Sequence, residues 1–261
     1  MHPILFHIGD TAIHTYGVMS ALGFLVIAYL MLRRAKDRGI DSDKIVDLIF
    51  WTSLAAIVGA RAAYIIANPS QLTSLGEWVN LRTGGLVFYG ALLTIIPVGA
   101  LIIRRNKLPF YAVMDITAAA APLGHLLSRL GCFAAGCCYG KPTDQPWGVT
   151  YAHELAPAAP GIAVHPTQLY EVGYLLLIFI VVNWLYPRKR FDGQIALTYL
   201  SLYALLRTAN EFLRGDETRG YFLEGILGQT LSTSQGLSLL VATLAIGVFF
   251  VAARRARQPG S

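Results

Sequence analysis

Charge is what this 261-residue chain has least of: Asp, Glu, Lys and Arg together make up 14% of it. A water-soluble domain carries about a quarter, so the chain lacks the polar surface to stand in water. Hydrophobic residues are 55% and the mean hydropathy is +0.53, which excludes the one or two soluble domains that the length alone would suggest. Acidic residues are the scarcer sign, 15 against 21 basic, for a net charge of +6 and a pI of about 9.3. That excess does not point to nucleic acid. The basic residues are spread over no single face and stand in short runs between apolar stretches, which is the mark of membrane topology. The chain also lacks an internal repeat and a second domain. The first apolar run has no basic residues before it and is too long for a secretion leader, so no cleavable signal is expected.

What the chain has is long apolar runs. A spanning helix needs about 20 mostly apolar residues. Segments 14–32, 86–103 and 231–253 carry no acidic or basic side chain. Segment 45–67 holds Asp47 and Arg61, 168–186 holds Glu171, and 195–213 holds Arg207 and Glu211. The alanine-rich segment 109–131 holds Asp115, His125 and Arg129. The expectation is an all-α polytopic membrane protein of about seven spans, forming one domain over 1–261. Fourteen of the 21 basic residues follow spans one, three, five and seven. They are Arg33, Arg34, Lys36, Arg38 and Lys44; Arg104, Arg105 and Lys107; Arg188, Lys189 and Arg190; and Arg254, Arg255 and Arg257. The positive-inside rule then puts the N-terminus outside and the C-terminus in the cytoplasm. The long connections 68–85, 132–167 and 214–230 fall on the outer side.

That topology assigns depths to charges that lipid would otherwise penalise. Arg61, Arg129 and Arg207 fall in the outer half of outward-running spans. His14, Tyr16 and Tyr89 begin inward-running spans at the same level, and His165, Gln168, Tyr170 and Glu171 enter span five there. Six of the seven spans thus bring polar groups to one level. Arg207, Glu211 and Arg214 are spaced i, i+4, i+7 and share a helical face. One reading is an Arg207–Glu211 ion pair that fastens span six to its neighbours. The other starts from Arg61, Arg129, Arg207 and Arg214 outnumbering Glu171 and Glu211, which leaves positive charge for an external anion. Arginine suits phosphate, because its planar fork makes two parallel hydrogen bonds and never loses its charge. At an outer leaflet the abundant phosphate is a phospholipid head group.

Other polar residues read as structural. Asp115 lies 14 residues before Arg129, about 21 Å along a helix, so the two cannot pair; near the cytoplasmic end it reads as a cap or anchor, as does Asp47. His125, on an alanine-rich face, reads as a packed, hydrogen-bonded histidine. Cys132, Cys137 and Cys138 all fall in RLGCFAAGCCYG (129–140). Zinc wants a fourth ligand and usually C-x2-4-C spacing, and a disulfide depends on geometry, so small residues in a close-packed turn are the plainer account. No metal and no cofactor is expected.

The motifs resemble those of the bacterial prolipoprotein diacylglyceryl transferase family over nearly the whole chain. They are IHTYGVM (13–19), GARAAY (59–64), GGLVFYG (84–90), Asp115 followed by RLGCFAAGCCYG, HPTQLYE (165–171) and RTANEFLR (207–214), with SQGLS (234–238) a weaker match. The resemblance implies seven spans with the N-terminus outside, and a bacterial inner-membrane enzyme whose site faces the outer leaflet. It implies transfer of a diacylglyceryl group from phosphatidylglycerol to the lipobox cysteine of a prolipoprotein signal peptide, releasing glycerol 1-phosphate. The partners so implied are phosphatidylglycerol, the lipobox peptide and membrane lipid, with no nucleic acid. Carried over by motif, Arg129 and Arg207 hold the phosphoglycerol, with Tyr16, Gly140, Glu211 and Arg214 as further core positions and Arg61 among the lipid-binding residues. Gln168, Tyr170 and Glu171 join Asp115 as structural polar residues. The chain departs from the family where many members have a histidine, a candidate base, and this one has Tyr89 followed by Gly90 and Ala91. Cys132 replaces an asparagine common after RLG. Tyr89 is then expected to position a head-group oxygen, and His14 or His165 is the alternative proton acceptor.

A transporter or scramblase for an anionic lipid or solute also fits membrane arginines. The chain lacks the inverted repeat and matched broken helices of such proteins, and its polar residues crowd one leaflet. An intramembrane protease ranks below both, since no catalytic motif surrounds Asp47 or Asp115.

Overall fold

A computed structural model describes residues 2–69, 76, 78, 85, 87–153, 156, 157, 160–215 and 232–256. Arg82, Arg219, Arg257 and most of the connections 68–85 and 214–230 lie outside the described residues. Among the described residues a two-stranded antiparallel hairpin, β1 (Ile4–Ile8) and β2 (Thr11–His14), precedes seven long helices. These are α1 (Thr15–Asp37), α2 (Ser42–Ala67), α3 (Phe88–Arg105), α4 (Phe110–Ala135), α5 (Thr167–Leu185), α6 (Gln194–Glu211) and α7 (Thr233–Arg255). A 3-10 turn, Tyr186–Arg188, continues α5. The hairpin was not expected, although its Gly9-Asp10 turn, with Gly9 at φ +57, is a hairpin signal.

Each helix coincides with one expected span, and six are long and apolar enough to cross a membrane. The exception is α6, whose polar residues include Arg207 and Glu211. Large apolar side chains such as Leu25, Phe50, Leu93, Ile180 and Leu244 are exposed along the helices, as suits a lipid solvent. Local chemistry sets the ends. Asp41 accepts a hydrogen bond from the Asp43 backbone N–H (3.0 Å) to cap α2, and Ser232 and Gln235 form a reciprocal capping box on α7, which satisfies otherwise orphaned donors.

Chain contacts divide the protein into two compact units, residues 31–113 and residues 1–30 with 114–261. In the first, α2 packs on α3 through Gly59 and Gly90, where an added Cβ would strike backbone of the other helix. Thr94 Oγ1 donates across to the Ala55 carbonyl at 2.7 Å.

In the second unit α4 is the centre: 56% of its apolar window is buried, against 11–22% for the other candidate spans. Small residues allow this. Gly23 of α1 meets Gly124 of α4 so closely that a Cβ on either would collide with the other's carbonyl. Ala118 and Ala119 of α4 pack with Ile178 and Val182 of α5 and with Ile195 and Ala196 of α6. Asp115 is fully buried below this cluster and accepts from the backbone N–H groups of Gly193, Ile195 and Ala196 at 2.9, 2.9 and 3.0 Å. It also pairs with Lys189, which reaches Asp192 at 2.6 Å as well. Gly193, at φ +95, carries no cap of its own, so a carboxylate from α4 caps α6. Its negative charge meets the positive end of the helix dipole.

Candidate active site

The opposite end of the second unit gathers most of the predicted polar residues. On α4, His125 and Arg129 are one turn apart, and Arg129 Nε lies 3.3 Å from His125 Nε2 and 3.1 Å from Glu171 Oε2. Glu171 rises from the first turns of α5 and also accepts from the Tyr203 hydroxyl at 3.1 Å. Tyr199, Tyr203, Arg207 and Glu211 repeat every four residues and therefore line one face of α6. Arg207 pairs with Glu211. Glu211 also accepts from Ser232 Oγ at 2.9 Å, and Arg214 Nε lies 3.9 Å from it. Four helices, α4 to α7, thus contribute to one polar seam. Glu171, Arg207, Glu211 and Arg214 are each buried.

The irregular segment after α4 closes this seam. Gly136, at φ +74, ends α4 in a left-handed turn, with the Cys137 N–H returning to the Cys132 carbonyl at 3.2 Å; this is a Schellman motif. The chain then threads between α5 and α6. Gly140 N donates to the His165 carbonyl (2.9 Å), Lys141 N to that of Leu213 (2.7 Å), and Gly215 N to that of Tyr139 (3.1 Å). An added Cβ at Gly140 would lie 2.5 Å from His165 Cβ and 2.8 Å from the Leu213 carbonyl oxygen, so only glycine fits. Thr167 Oγ1 donates to the Cys138 carbonyl at 2.8 Å, and Gln168 Nε2 to that of Cys137 at 2.6 Å. Gln168 also reaches the buried Tyr151 hydroxyl at 3.0 Å, whose pKa burial pushes up to about 12. Tyr151 is therefore a neutral hydroxyl at neutral pH.

His165 Nδ1 lies 3.1 Å from the Tyr170 hydroxyl, which accepts from Trp147 Nε1 at 2.8 Å. Tyr170 thus sits between Trp147 and His165, and the direction of its bond to Nδ1 follows the His165 tautomer. Tyr16, at the start of α1, lies against Gly131 of α4 and is half exposed. His14 ends β2 and is exposed.

Two predicted residues belong to the other unit. Arg61 of α2 is buried and donates to the Trp78 carbonyl (2.9 Å) and the Gly85 carbonyl (3.1 Å), with its guanidinium 5.2 Å from the Tyr64 ring centre. Tyr89 is exposed in the first turn of α3, edge-on to Phe88. Residues that the sequence reading did not place in a site are His125, Tyr203 and Ser232, and the heptad-like i, i+4 spacing of His125 to Arg129 and Tyr203 to Arg207 was the available signal. Among the described residues, buried polar atoms without a hydrogen-bond partner also mark this end: Gln168 Oε1, Asn210 Oδ1 and Gln235 Nε2. Such atoms are costly unless something fills them.

The chain was compared with known proteins. The sequence model of a family described as prolipoprotein diacylglyceryl transferase matches residues 3–251. The chain belongs to that family. Among its relatives, a phosphatidylglycerol–prolipoprotein diacylglyceryl transferase of Clostridium tetani is 32% identical over 250 residues, 95% of this chain and 96% of the relative. Proteins of the same name from Bordetella parapertussis and Geobacter sulfurreducens are each 33% identical, over 97% and 98% of this chain and 95% and 97% of their own lengths. The diacylglyceryl transferase family resemblance read from the motifs thus extends over nearly the full chain, and the polar seam is built from those same motifs.

Proposed function

We propose that the chain transfers the diacylglyceryl group of phosphatidylglycerol to the thiol of a prolipoprotein's lipobox cysteine. The reaction takes place at the outer leaflet of the bacterial inner membrane, in a seven-span protein whose N-terminus is outside. The observation that carries this reading is the seam itself: among the described residues, the buried guanidiniums of Arg129, Arg207 and Arg214 gather around the carboxylates of Glu171 and Glu211. Such a concentration of buried guanidiniums suits one phosphodiester anion.

The sulfur attacks C3 of the glyceryl unit as a new C–S bond forms and the C3–O bond breaks. The electron pair of that bond leaves on phosphate oxygen, so that glycerol 1-phosphate departs. The thiol's proton goes to solvent or to a nearby base. Negative charge grows on the departing oxygen, and arginines already fixed by Glu171 and Glu211 stabilise it without reorganising. They also hold the lipid in line for attack. A thiol near pKa 8.5 needs modest help to ionise. In this reading Tyr16 and Gly140 complete the lipid site, and His165 or His14 takes the proton.

The test is the purified protein in detergent with phosphatidylglycerol and a lipobox peptide bearing a free cysteine, read by glycerol phosphate release. Release that requires the peptide thiol is expected. A folded protein that gives none, yet moves phosphatidylglycerol between leaflets of a vesicle, would put the lipid-transport reading first.

A further inference from the structure

Cys132, Cys137 and Cys138 sit together although they are spread over seven residues of sequence: their three sulfurs all lie within 4.8 Å of one another. The Schellman turn at Gly136 produces this by folding the chain back on the last turn of α4, so that residues 137 and 138 return to 132. Cys138 itself adopts φ +62, a left-handed conformation that costs a non-glycine residue about 1 kcal/mol or more. The segment is not loose: Thr167 and Gln168 hold the carbonyls of Cys138 and Cys137. Three convergent thiols on a strained, anchored turn go beyond what close packing of small residues requires.

Tetrahedral zinc with Zn–S bonds of about 2.3 Å sets its sulfurs about 3.8 Å apart, a spacing that side-chain rotation can reach from the observed cluster. Soft thiolates select such a cation over magnesium or calcium. Zinc sites with three protein ligands keep a fourth position for a reactant, whereas purely structural sites use four. Among the described residues no fourth cysteine, histidine or carboxylate joins the group. The cluster follows Arg129 by one helical turn, and Tyr139, next to Cys138, bonds Gly215 beside Arg214. It therefore borders the arginine seam. Three thiolates on Zn2+ carry a net charge of −1, which suits a site bordering buried guanidiniums.

We propose that Cys132, Cys137 and Cys138 hold one zinc ion through three thiolates, and that its open position binds the thiol of the acceptor cysteine. The second half rests on the transferase reading. A zinc-bound thiol is deprotonated outright, its proton leaving to solvent before attack. The thiolate then forms the C–S bond as the C3–O bond breaks, and the thioether product, a weaker donor, leaves the metal. Thiol activation then needs no dedicated histidine.

The protein purified without chelator is assayed for zinc by atomic emission, and then with Co2+ in place of zinc by absorption. About one zinc per chain and a thiolate-to-cobalt charge-transfer band are expected. The lipobox peptide should intensify and shift that band, whereas its Cys→Ser analogue should leave it alone. Cys137→Ser and Cys138→Ser should each lose the metal, and lose peptide modification by about tenfold or more, while thermal unfolding and phosphatidylglycerol binding persist. Two variants guard against one failing to fold. An active, folded wild-type protein that holds no zinc, or whose three cysteines titrate as a single thiol because two are joined in a disulfide, overturns the site and leaves the transferase standing. Bound zinc and an intact cobalt band with no glycerol phosphate release would overturn the transferase reading and the peptide-thiol half, and leave the metal.

Discussion

At one end of α4 the Asp115 carboxylate meets three backbone N–H groups and Lys189; at the other, Arg129 joins a seam in which three guanidiniums face two carboxylates. Both ends are buried, and both cost desolvation. Asp115 is saturated by fixed donors from its own fold, and its charge is matched by the dipole of α6 and by Lys189. Nothing is left for a ligand to do there. Among the described residues the seam gathers more guanidiniums than carboxylates, and polar atoms of Gln168, Asn210 and Gln235 are buried in it without a hydrogen-bond partner. Buried charge by itself does not mark a site; the mark is buried charge that the fold leaves unbalanced.

The comparison breaks first if the saturated end proves dispensable. Asp115→Ala strands three N–H groups and a buried lysine, and should cost about 3–5 kcal/mol of stability, read as a large fall in the unfolding midpoint in detergent. Whatever fraction stays folded should keep its activity per molecule. Full stability in this variant would undo the account of α6 capping.

Next is Arg207→Lys at the open end. It keeps the charge beside Glu211 but loses the two-pronged grip on phosphate. Turnover should fall about a hundredfold, roughly 2.7 kcal/mol, with little change in the unfolding midpoint. If stability falls as far as for Asp115→Ala while activity per folded molecule holds, the seam is structural after all, as the simple Arg207–Glu211 ion-pair reading has it.

Gly140→Ala tests the close approach that shuts the seam. A methyl placed 2.5 Å from His165 Cβ and 2.8 Å from a backbone carbonyl should cost about 1–3 kcal/mol. It should also raise KM for lipid more than it lowers kcat. An unchanged variant would mean that the 140–165 segment moves freely against α6.

The sequence made some of this legible and not the rest. The seven helices were readable because lipid demands apolar runs of fixed length; segment 109–131 became α4 (Phe110–Ala135) and 195–213 became α6 (Gln194–Glu211). Ends moved where capping, not hydropathy, decides, as at Asp41, which starts α2 three residues before its apolar run. Arg207, Glu211 and Arg214 were legible as one face from spacing alone. The partnership of Arg129 with Glu171 was not, because it depends on which faces of α4 and α5 meet, and both are ringed by apolar residues. The cysteine cluster was hidden for a different reason: Cys132 and Cys137 have a C-x4-C spacing, but no fourth ligand stands near them in the sequence, and only the left-handed turn at Gly136 shows that Cys138 joins the same group.

The smallest expected effect falls on a residue that belongs to both kinds of region. Ser232 caps α7 through the Gln235 N–H at 3.1 Å and donates to Glu211 at 2.9 Å. Ser232→Ala removes both bonds, for about 1 kcal/mol of stability. Ser232→Asp keeps the cap but sets a second carboxylate against Glu211, cancelling the seam's surplus positive charge. If that surplus is what receives phosphate, the aspartate variant should keep its unfolding midpoint closer to wild type than its lipid affinity, and the alanine variant the reverse. Equal lipid affinity in the two would mean that the fork geometry of the arginines, not their net charge, decides lipid binding.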